Sequence, residues 1–381
     1  MTSLTLCTRQ LRSAGSDFHF QLYNATMNVS EPKKVAVGMS GGVDSSVAAL
    51  LLKEQGYEVT GVFMQCWDVY DDGCAADEDK AYALQTAMAL DIPFKTLDLR
   101  GEYKTRVIDY FYTEYETGRT PNPDVMCNKE IKFGIFYEWA MREGFDFVAT
   151  GHYAGVKEQE GEIKLLKGAD KGKDQSYFLY RLGQEQLRNT LFPLGELHKS
   201  EVRKLAKDRM LPSYKRPESM GICFIGEVDI KEFLKQRIAE KKGKVITSTG
   251  EEVGDHDGVS FLTIGQRHGF RLKKYFGDPM YVTAKDAGTN TLTVGTYEEA
   301  LRDTFVVSDL SWVGRDPFTE GDEISCDLRI RHQGKLTPCV VKKSGDGALE
   351  VRNSSRVFGV APGQSAVFYK DNEVLGGGII V

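Results

Sequence analysis

The chain has 381 residues, of which 41% are hydrophobic and 27% are charged, and its formal net charge is −6. This composition is typical of a globular protein, and the length predicts two or three domains. The negative charge argues against a uniformly basic nucleic-acid binder, and no apolar run is long enough to span a membrane. The seven cysteines are irregularly spaced and fit neither a disulfide scaffold nor a zinc site.

Residues 1–32 differ in composition from the rest of the chain. They contain Arg9 and Arg12, several Ser and Thr, and a single acidic residue before Glu31. That composition loosely suggests a transit peptide. The simpler interpretation, which we favour together with a cytoplasmic location, is a disordered extension or an upstream start codon with Met27 as the natural start.

A glycine-rich turn opens the first predicted helix. An apolar run over 35–37 leads into Ser40-Gly41-Gly42-Val43-Asp44-Ser45, and a helical run over 47–52 follows. Backbone N–H groups and the helix dipole make such a turn an anion site, and glycine lets a phosphate approach closely. The turn has neither the Lys-Ser/Thr end of a Walker loop nor the spacing of a dinucleotide fingerprint. It resembles the PP-loop of ATP pyrophosphatases, and an ordinary strand-to-helix turn is the alternative.

Strands and helices alternate over residues 33–228, which predicts a parallel sheet with helices on both faces. The predicted strands after the first cover 59–64, 94–99 and 147–150, and a helix with an acidic start covers 75–90. Ligands of such sheets bind at the carboxyl ends of the strands. The predicted nucleotide site therefore consists of Gly38, Met39, Ser40, Gly41, Gly42, Val43, Asp44, Ser45, Met64 and Gly151.

The second half of the chain is rich in short β runs and glycine turns. It opens with a charged amphipathic helix predicted over 229–242. Evenly spaced short strands favour small barrels, and their spacing tightens near residue 303. The predicted fold class is α/β, with a parallel-sheet nucleotide-binding catalytic domain (33–228), a small β-rich central domain (229–303) and a C-terminal β-barrel (304–381).

Two cysteines lie in sequence surroundings that favour chemistry. Asp124 and Cys127 are three residues apart, so one helical turn places them on the same side. Lys129 and Lys132 follow, and a nearby cation favours a thiolate and lowers its pKa. Cys223 sits between glycines in an apolar run. For either cysteine alone, burial in the core is the simpler interpretation.

The chain resembles the tRNA-specific 2-thiouridylases of the MnmA/TrmU family over residues 33–381. The matching motifs are the PP-loop, Asn122-Pro123-Asp124 with Cys127-Asn128-Lys129, Gly151-His152-Tyr153, Lys173-Asp174-Gln175, Gly221-Ile222-Cys223-Phe224, Thr263-Ile264-Gly265-Gln266-Arg267 and Pro362-Gly363-Gln364-Ser365. The resemblance implies an adenine nucleotide alpha hydrolase-like first domain.

The resemblance also implies an activity. Such an enzyme uses ATP, with Mg²⁺ accompanying it transiently, to adenylate the C2 oxygen of uridine 34 in tRNA, and sulfur then arrives from a cysteine persulfide. Cys223 matches the persulfide carrier, Cys127 the second catalytic cysteine, and Asp124 a residue near the target base that serves as general base. Cys127 attacks the distal sulfur or the activated carbon and ends in a disulfide with Cys223. The implied partners are tRNA and a sulfur donor, either a cysteine desulfurase or a relay protein; no membrane and no resident metal are implied.

The positions that match tRNA contacts of the family are Asn122, Pro123, Asp124, His152, Lys173, Asp174, Gln175, Arg331, His332 and Gln364. The chain departs from the family at 329–333, where Arg-Ile-Arg-His-Gln replaces Arg-Tyr-Arg-Gln, and after Arg267, where 270–274 carry added positive charge. These charges, like the lysines within 164–173, favour either contact with the tRNA backbone or a solvated surface.

Two further functions compete with the thiouridylase. A PP-loop ligase that transfers nitrogen would need neither the cysteine pair nor the β-rich half, and a non-catalytic RNA-binding module would need no intact loop. The remaining candidates for chemistry are better explained by packing or solvation: Cys66, Cys74, Cys326 and Cys339 as structural thiols, Trp67, Trp139 and Trp312 as packed rings, and Asp68, Asp71 and Asp72 as a solvated loop.

Overall fold

The structure is a computed structural model, and it describes residues 31–67, 75–217, 223, 225, 229–318, 321–345 and 347–381. Contacts divide the chain into two units, residues 1–32 and 33–381, and the second carries the elements described below. The extension predicted at 1–32 lies almost wholly outside the described residues, as do the acidic run at 68–72 and Cys74. No helix in the described ranges has the length and apolar character needed to cross a membrane.

The strands in chain order are β1 (Lys34–Gly38), β2 (Glu58–Gln65), β3 (Phe94–Asp98), β4 (Phe147–Ala149), β5 (Ala154–Gln159), β6 (Glu162–Lys167), β7 (Thr190–Leu191), β8 (Gly243–Ile246), β9 (Glu252–His256), β10 (Phe270–Leu272), β11 (Tyr281–Asp286), β12 (Thr291–Gly295), β13 (Leu301–Trp312), β14 (Glu323–Arg329), β15 (Thr337–Lys343), β16 (Leu349–Phe358), β17 (Ser365–Lys370) and β18 (Glu373–Ile380).

The α-helices are α1 (Val43–Glu54), α2 (Ala75–Ala89), α3 (Arg100–Tyr103), α4 (Asp109–Glu116), α5 (Pro123–Cys127), α6 (Phe136–Arg142), α7 (Gln184–Arg188), α8 (Lys199–Asp208) and α9 (Ile230–Lys235). Two π-helical segments, Lys104–Ile108 and Asn128–Ile135, join α3 to α4 and α5 to α6. Four short 3₁₀ segments cover Ser176–Leu179, Pro212–Lys215, Val259–Phe261 and Glu298–Ala300.

The first domain is built on a parallel sheet, as predicted, and the strand order is β3-β2-β1-β4-β7. Successive side chains of β1 enter two different cores, because a strand points alternate residues to opposite faces. Val35 and Val37 pack in the core that contains the buried residues of α1 and α8, whereas Ala36 packs in the core that contains Phe136 of α6. Burial on both faces explains the uninterrupted apolar run of β1.

The helix predicted over 229–242 is wrong in length, because α9 ends at Lys235. Phe233 and Leu234 are buried, so the apolar face is used up within two turns. Beyond them the chain folds back, and Glu240 accepts ion pairs from Lys231 and Lys235 at 3.4 and 3.1 Å. Lys231 and Lys235 therefore hold the segment that leads from the end of α9 back into β8.

The second half contains two further sheets. The central sheet has the order β10-β9-β8-β12-β11, and strands β13-β16-β15-β14-β17-β18 close into a barrel through the pairing of β13 with β18. The hairpin of β5 and β6 extends the barrel sheet by pairing with β18, although it belongs to the sequence of the first domain. That hairpin was not predicted, and its pairing ties the first half of the chain to the barrel.

Candidate active site

The glycine-rich turn between β1 and α1 forms a closed loop of hydrogen bonds. The Ser45 hydroxyl accepts from the Ser40 N–H at 3.1 Å and donates to the Gly42 carbonyl at 3.2 Å. Gly41 has φ +76°, and a Cβ there would lie 2.3 Å from the Asp79 carbonyl oxygen. The sequence therefore needs glycine at this point for both its backbone angle and its packing.

The ends of three neighbouring strands meet at this loop. A Cβ at Gly151, just after β4, would lie 2.7 Å from the backbone carbonyl carbon of Asp44 and from the Ser45 nitrogen. A Cβ at Gly38 would lie 3.0 Å from the Met64 methyl group at the end of β2. The structure thus brings together the predicted nucleotide residues, of which Met39 and Val43 face the core.

The Asp44 carboxylate at the start of α1 has partners that the sequence analysis missed. The Tyr153 hydroxyl donates to Asp44 Oδ1 at 2.8 Å, and Lys199 Nζ donates to both carboxylate oxygens at 2.7 and 2.8 Å. Tyr153 stands in the motif that follows Gly151, which was a usable signal. Lys199 is 155 residues away, and nothing in its local sequence marks it.

One long helical segment carries the first cysteine. The Asn122 side chain caps its start by accepting from the Val125 N–H at 3.2 Å, and Pro123 occupies the first turn, where its missing N–H costs nothing. The segment continues without interruption through the π-helical turns to Arg142. In an α-helix, residues five apart differ by about 140° in direction. The wider π turns bring Lys132 back toward the side of Cys127, and π turns are frequent at functional sites.

Cys223 lies against this helix and contacts it at several atoms. Lys132 Nζ donates to its Sγ at 3.6 Å, and the Cys127 thiol is near enough to raise its pKa. Its backbone N–H donates to Asp124 Oδ1 at 3.0 Å, and its carbonyl accepts from the Tyr103 hydroxyl at 2.6 Å. The two predicted cysteines, 96 residues apart in sequence, are therefore neighbours, and of residues 218–228 only 223 and 225 are described.

The electrostatics of this site favour a protonated Cys223 thiol beside a charged lysine. The neighbouring Cys127 thiol, followed by burial, raises the pKa of Cys223 well above its usual value, although Lys132 opposes this. Burial alone would lower the pKa of Lys132, but the facing Cys223, Cys127 and Asp124 outweigh it and raise that pKa. Lys129, the other lysine predicted to act on a thiol, pairs instead with Glu130 at 3.1 Å.

Cys66, which follows β2, is a further thiol near Cys127, Cys223 and Lys132. Burial raises its pKa, and Lys132 acts in the opposite direction. Cys66 is 2% exposed and packs in the same core as Cys127. The sequence predicts that Cys66 is a structural thiol. Only the tertiary fold shows that it lies near Cys127 and Cys223.

Direct packing joins the cysteine helix to the glycine-rich loop. Phe136 lies 3.7 Å from the position of a Cβ at Gly38. Phe133 packs against the His152 ring with centroids 6.0 Å apart, and His152 follows Gly151, which contacts the loop. A group bound at the loop therefore lies on the same side of the sheet edge as the thiols.

Several residues that match tRNA contacts are buried or hold structure. His152 is 7% exposed, its Nδ1 lies 2.7 Å from the Thr150 hydroxyl, and burial lowers its pKa well below the usual value. Asp174 is 3% exposed and pairs with Arg329 of β14 at 2.8 Å. Gln175 accepts from the Tyr153 N–H at 3.0 Å. These side chains hold in place the chain segments that also carry more exposed residues.

The other matching residues lie closer to the surface. Arg331 donates to the carbonyls of Phe358 and Gly359 at 3.0 and 2.9 Å. The His332 ring packs on Phe178 with centroids 4.4 Å apart. The Gln364 amide donates to the carbonyls of Thr120 and Pro121 at 2.9 Å each, so the barrel holds the loop that leads into α5. Lys173 is partly exposed beside Asp174.

The basic residues that depart from the family are paired with acids. Arg271 bonds to Asp255 and Asp257, and Lys273 and Lys274 pair at 2.6 Å with Glu252 and Glu251 respectively. This cross-strand pairing agrees with the alternative of a solvated surface. Among the described residues, no group of three or more His, Cys, Asp or Glu side chains is arranged to hold a metal ion.

Three family models match the chain in order. They are described as a tRNA methyl transferase HUP domain over residues 33–227, a tRNA methyl transferase PRC-barrel domain over 231–296 and an aminomethyltransferase beta-barrel domain over 302–380. The solved U34-tRNA thiolase NcsA from Methanococcus maripaludis is 21% identical with a TM-score of 0.34, covering 50% of this chain and 61% of that one. A likeness of that size has no bearing on function.

Curated relatives match nearly the whole chain. It is 45% identical over 363 residues to the tRNA-specific 2-thiouridylase MnmA of Proteus mirabilis, covering 93% of this chain and 98% of the relative. The same protein of Bacillus subtilis is 45% identical, with 92% and 95% covered, and that of Streptococcus thermophilus is 46% identical, with 93% and 96% covered. By its three domains, its glycine-rich loop and its cysteine pair, this chain belongs to the tRNA-specific 2-thiouridylase family.

Proposed function

We propose that this chain is a tRNA 2-thiouridylase that uses ATP to adenylate the C2 oxygen of the wobble uridine and then replaces that oxygen with sulfur. The observation that carries the proposal is the position of Cys223 against the helix that carries Cys127, where it bonds to Lys132 and Asp124, together with the packing of that helix against the glycine-rich loop. A dithiol next to a nucleotide site suits sulfur transfer to an activated carbonyl carbon.

The first step needs a site for the leaving pyrophosphate. The backbone N–H groups at the start of α1 and the Ser40 and Ser45 hydroxyls would bind its oxygens. Mg²⁺, when bound with ATP, would neutralise part of the phosphate charge, and the partly exposed Asp44 carboxylate is the side chain at the loop suited to face it. Adenylation turns the uridine O2 into part of AMP, which is a good leaving group.

The second step delivers sulfur with balanced electrons. The terminal sulfur of a Cys223 persulfide attacks C2 of the activated uridine. The Cys127 thiolate then attacks Cys223 Sγ and not the distal sulfur or the activated carbon, because only attack at Sγ forms the disulfide with Cys223. The sulfur–sulfur bond of the persulfide breaks, a Cys127–Cys223 disulfide forms, and AMP leaves as the C2=S bond forms. A thiol donor outside the chain must afterwards reduce the disulfide.

Cys223 lies beside Cys127, because its backbone N–H bonds to Asp124 one helical turn away. The base and the persulfide must lie between the two thiols during sulfur transfer, so we expect tRNA binding to move Cys223 away from Cys127 and the disulfide to form when Cys223 returns. Asp124 holds the Cys223 backbone in its present position. When Cys223 moves away, the Asp124 carboxylate becomes available to act as the general base.

The remaining assignments follow from exposure. Lys173, Arg331 and His332 would contact tRNA directly, whereas His152, Asp174, Gln175 and Gln364 would position those contacts, and Asn122-Pro123 would present Asp124 to the base. The sulfur donor is a persulfide-bearing protein, either a cysteine desulfurase or a relay protein, acting in the cytoplasm. Its persulfide is the chemistry that Cys223 would accept.

The competing functions make different demands on the site. A methyl transferase, as the family models are described, would need a methyl donor, and a nitrogen-transferring ligase would not need Cys127 beside Cys223. Incubation with unmodified tRNA, ATP, Mg²⁺ and a persulfide-bearing sulfur donor, followed by mass spectrometry of the nucleosides, separates them. We expect 2-thiouridine only when ATP is present. A methylated nucleoside formed from S-adenosylmethionine would reject the proposal.

The cysteine roles are tested by two variants. Cys223→Ser should fail to accept persulfide from a donor, whereas Cys127→Ser should carry it without releasing sulfur to tRNA. Both should still release pyrophosphate with tRNA and ATP, because adenylation needs neither thiol. Alkylation trapping and peptide mass locate the persulfide. Label that stays on Cys127 in the wild-type chain would overturn the assignment.

A further inference from the structure

We propose that Lys199 is a phosphate-binding residue of the glycine-rich loop. In the chain as described, its ammonium rests on Asp44, and it transfers to the pyrophosphate part of ATP when the nucleotide binds. The inference rests on the proposed use of ATP and deepens it, because it names a residue of the site that motif analysis does not reach.

The contact places a shielded cation at the loop. Lys199 Nζ lies 2.7 and 2.8 Å from the two oxygens of Asp44, the second residue of α1. The Lys199 side chain is 12% exposed and that of Asp44 is 34% exposed. The carboxylate therefore reaches toward solvent at the mouth of the loop while the lysine approaches it from the protein side.

The backbone of Lys199 is fixed, whereas its ammonium group lies at the end of a long side chain and can exchange one anion for another. Lys199 is the first residue of α8, and its backbone N–H donates to Asp170 Oδ2 at 2.9 Å. Val202 and Ala206 of the same helix are fully buried in the core shared with α1. A rigid helix start with a flexible four-carbon side chain lets the ammonium move by a few ångströms without moving the fold.

The charges at the start of α1 explain why Lys199 pairs with Asp44 when no nucleotide is bound. The start of α1 favours an anion, but the Asp44 carboxylate there would repel a polyphosphate. Lys199 neutralises that carboxylate while the loop is empty. When phosphates and their divalent cation arrive, the carboxylate gains a cation and the ammonium gains a phosphate oxygen, so both charges exchange one partner for another of the same sign.

Tyr153 keeps the carboxylate in place during that exchange. Its hydroxyl donates to Asp44 Oδ1 at 2.8 Å, and Lys199 Nζ lies 5.7 Å from the centre of its ring. The ring face gives the cation a favourable neighbour on its path. A purely structural ion pair would need neither an exposed carboxylate nor a second donor that holds it.

The test measures binding without tRNA and without turnover. Inorganic pyrophosphate and AMP are titrated calorimetrically into the wild-type chain and into Lys199→Gln. We expect at least a tenfold loss of pyrophosphate affinity and an AMP affinity within twofold of wild type, because AMP lacks the phosphates that Lys199 would bind. Lys204→Gln, an exposed lysine of the same helix, is the matched control and should behave as wild type.

A second variant tests the exchange of partners. In metal-free buffer, Asp44→Asn should tighten pyrophosphate binding, and the gain should be several-fold larger when Lys199 is present than in the Lys199→Gln background, because Lys199 is then released to the ligand. Equal gains in both backgrounds, or equal pyrophosphate affinity of wild type and Lys199→Gln, would overturn the inference.

A measurement on the unchanged chain guards against variants that misfold. Acylation of Lys199 by an amine reagent, followed by peptide mass, should be slowed by pyrophosphate and not by AMP; equal rates with both would reject the role. If the wild-type chain binds neither pyrophosphate nor ATP, the proposed function itself fails, whereas wild-type binding with an indifferent Lys199 rejects this inference alone.

Discussion

Replacing Lys132 by Met should slow the reaction of Cys223 with an alkylating reagent by at least tenfold at pH 8. Lys132 Nζ lies 3.6 Å from Cys223 Sγ. At an effective dielectric constant of about 20, a unit charge pair at that distance interacts with about 5 kcal/mol, which is an upper limit for stabilisation of the thiolate. A third of that value, about 1.5 kcal/mol, already corresponds to a tenfold change. Because the cation lowers the pKa of Cys223, its removal raises that pKa and reduces the thiolate fraction.

The assay follows alkylation of Cys223 by peptide mass between pH 6 and 10, together with thermal unfolding of each variant. Lys129→Met is the matched control, since Lys129 lies on the same helix but is partly exposed and paired with Glu130. We expect the control to keep the wild-type profile. The reasoning fails if Lys132→Met reacts at the wild-type rate across the range, or if Lys129→Met slows the reaction equally.

Three further changes test the scaffold of the site. Gly151→Ala should abolish ATP binding measured by calorimetry and cost about 1–3 kcal/mol of stability, because its Cβ would meet the Asp44 backbone at 2.7 Å. Asp174→Asn should lower the free energy of unfolding by about 3–5 kcal/mol in denaturant, since it leaves Arg329 buried without its anion. His152→Asn should flatten the loss of stability on acidification. Because burial lowers the pKa of His152, its contribution is present above the unfolded value of about 6.5 and is lost below it by up to about 1.4 kcal/mol per pH unit.

Two of these changes have a control variant. Gly155→Ala should leave ATP binding intact, because a Cβ there makes an ordinary contact of 3.4 Å with Leu166. Asp316→Asn breaks an exposed pair with Lys343 and should cost less than about 1 kcal/mol. A wild-type slope of stability against pH in His152→Asn, or equal costs for the two aspartate variants, would contradict the burial on which the predictions rest.

Most of the features that could be predicted from the sequence depend on residues close together in the chain. The turn at 40–45 needs glycine, hydroxyls and a strand–helix context, and each of these is visible in consecutive residues. The parallel sheet follows from uninterrupted apolar strands that alternate with helices, since such strands are buried on both faces. The three-residue spacing of Asp124 and Cys127 likewise predicts that both lie on one side of a helix. Cys223 was identified as a candidate from the glycine-flanked motif around it.

The tertiary structure decided which distant groups meet. Lys199 reaches Asp44 across 155 residues, Lys132 reaches Cys223 across 91, and Asp174 reaches Arg329 across 155. Nothing near these residues in sequence marks them, because long-range pairing depends on how helices and strands pack and not on local periodicity. The same reason hid the hairpin of β5 and β6, whose edge is completed by β18 from the far end of the chain. The sequence by itself determined the glycine-rich turn and its strand–helix context, and only the packed fold determined which thiols and charges lie together around it.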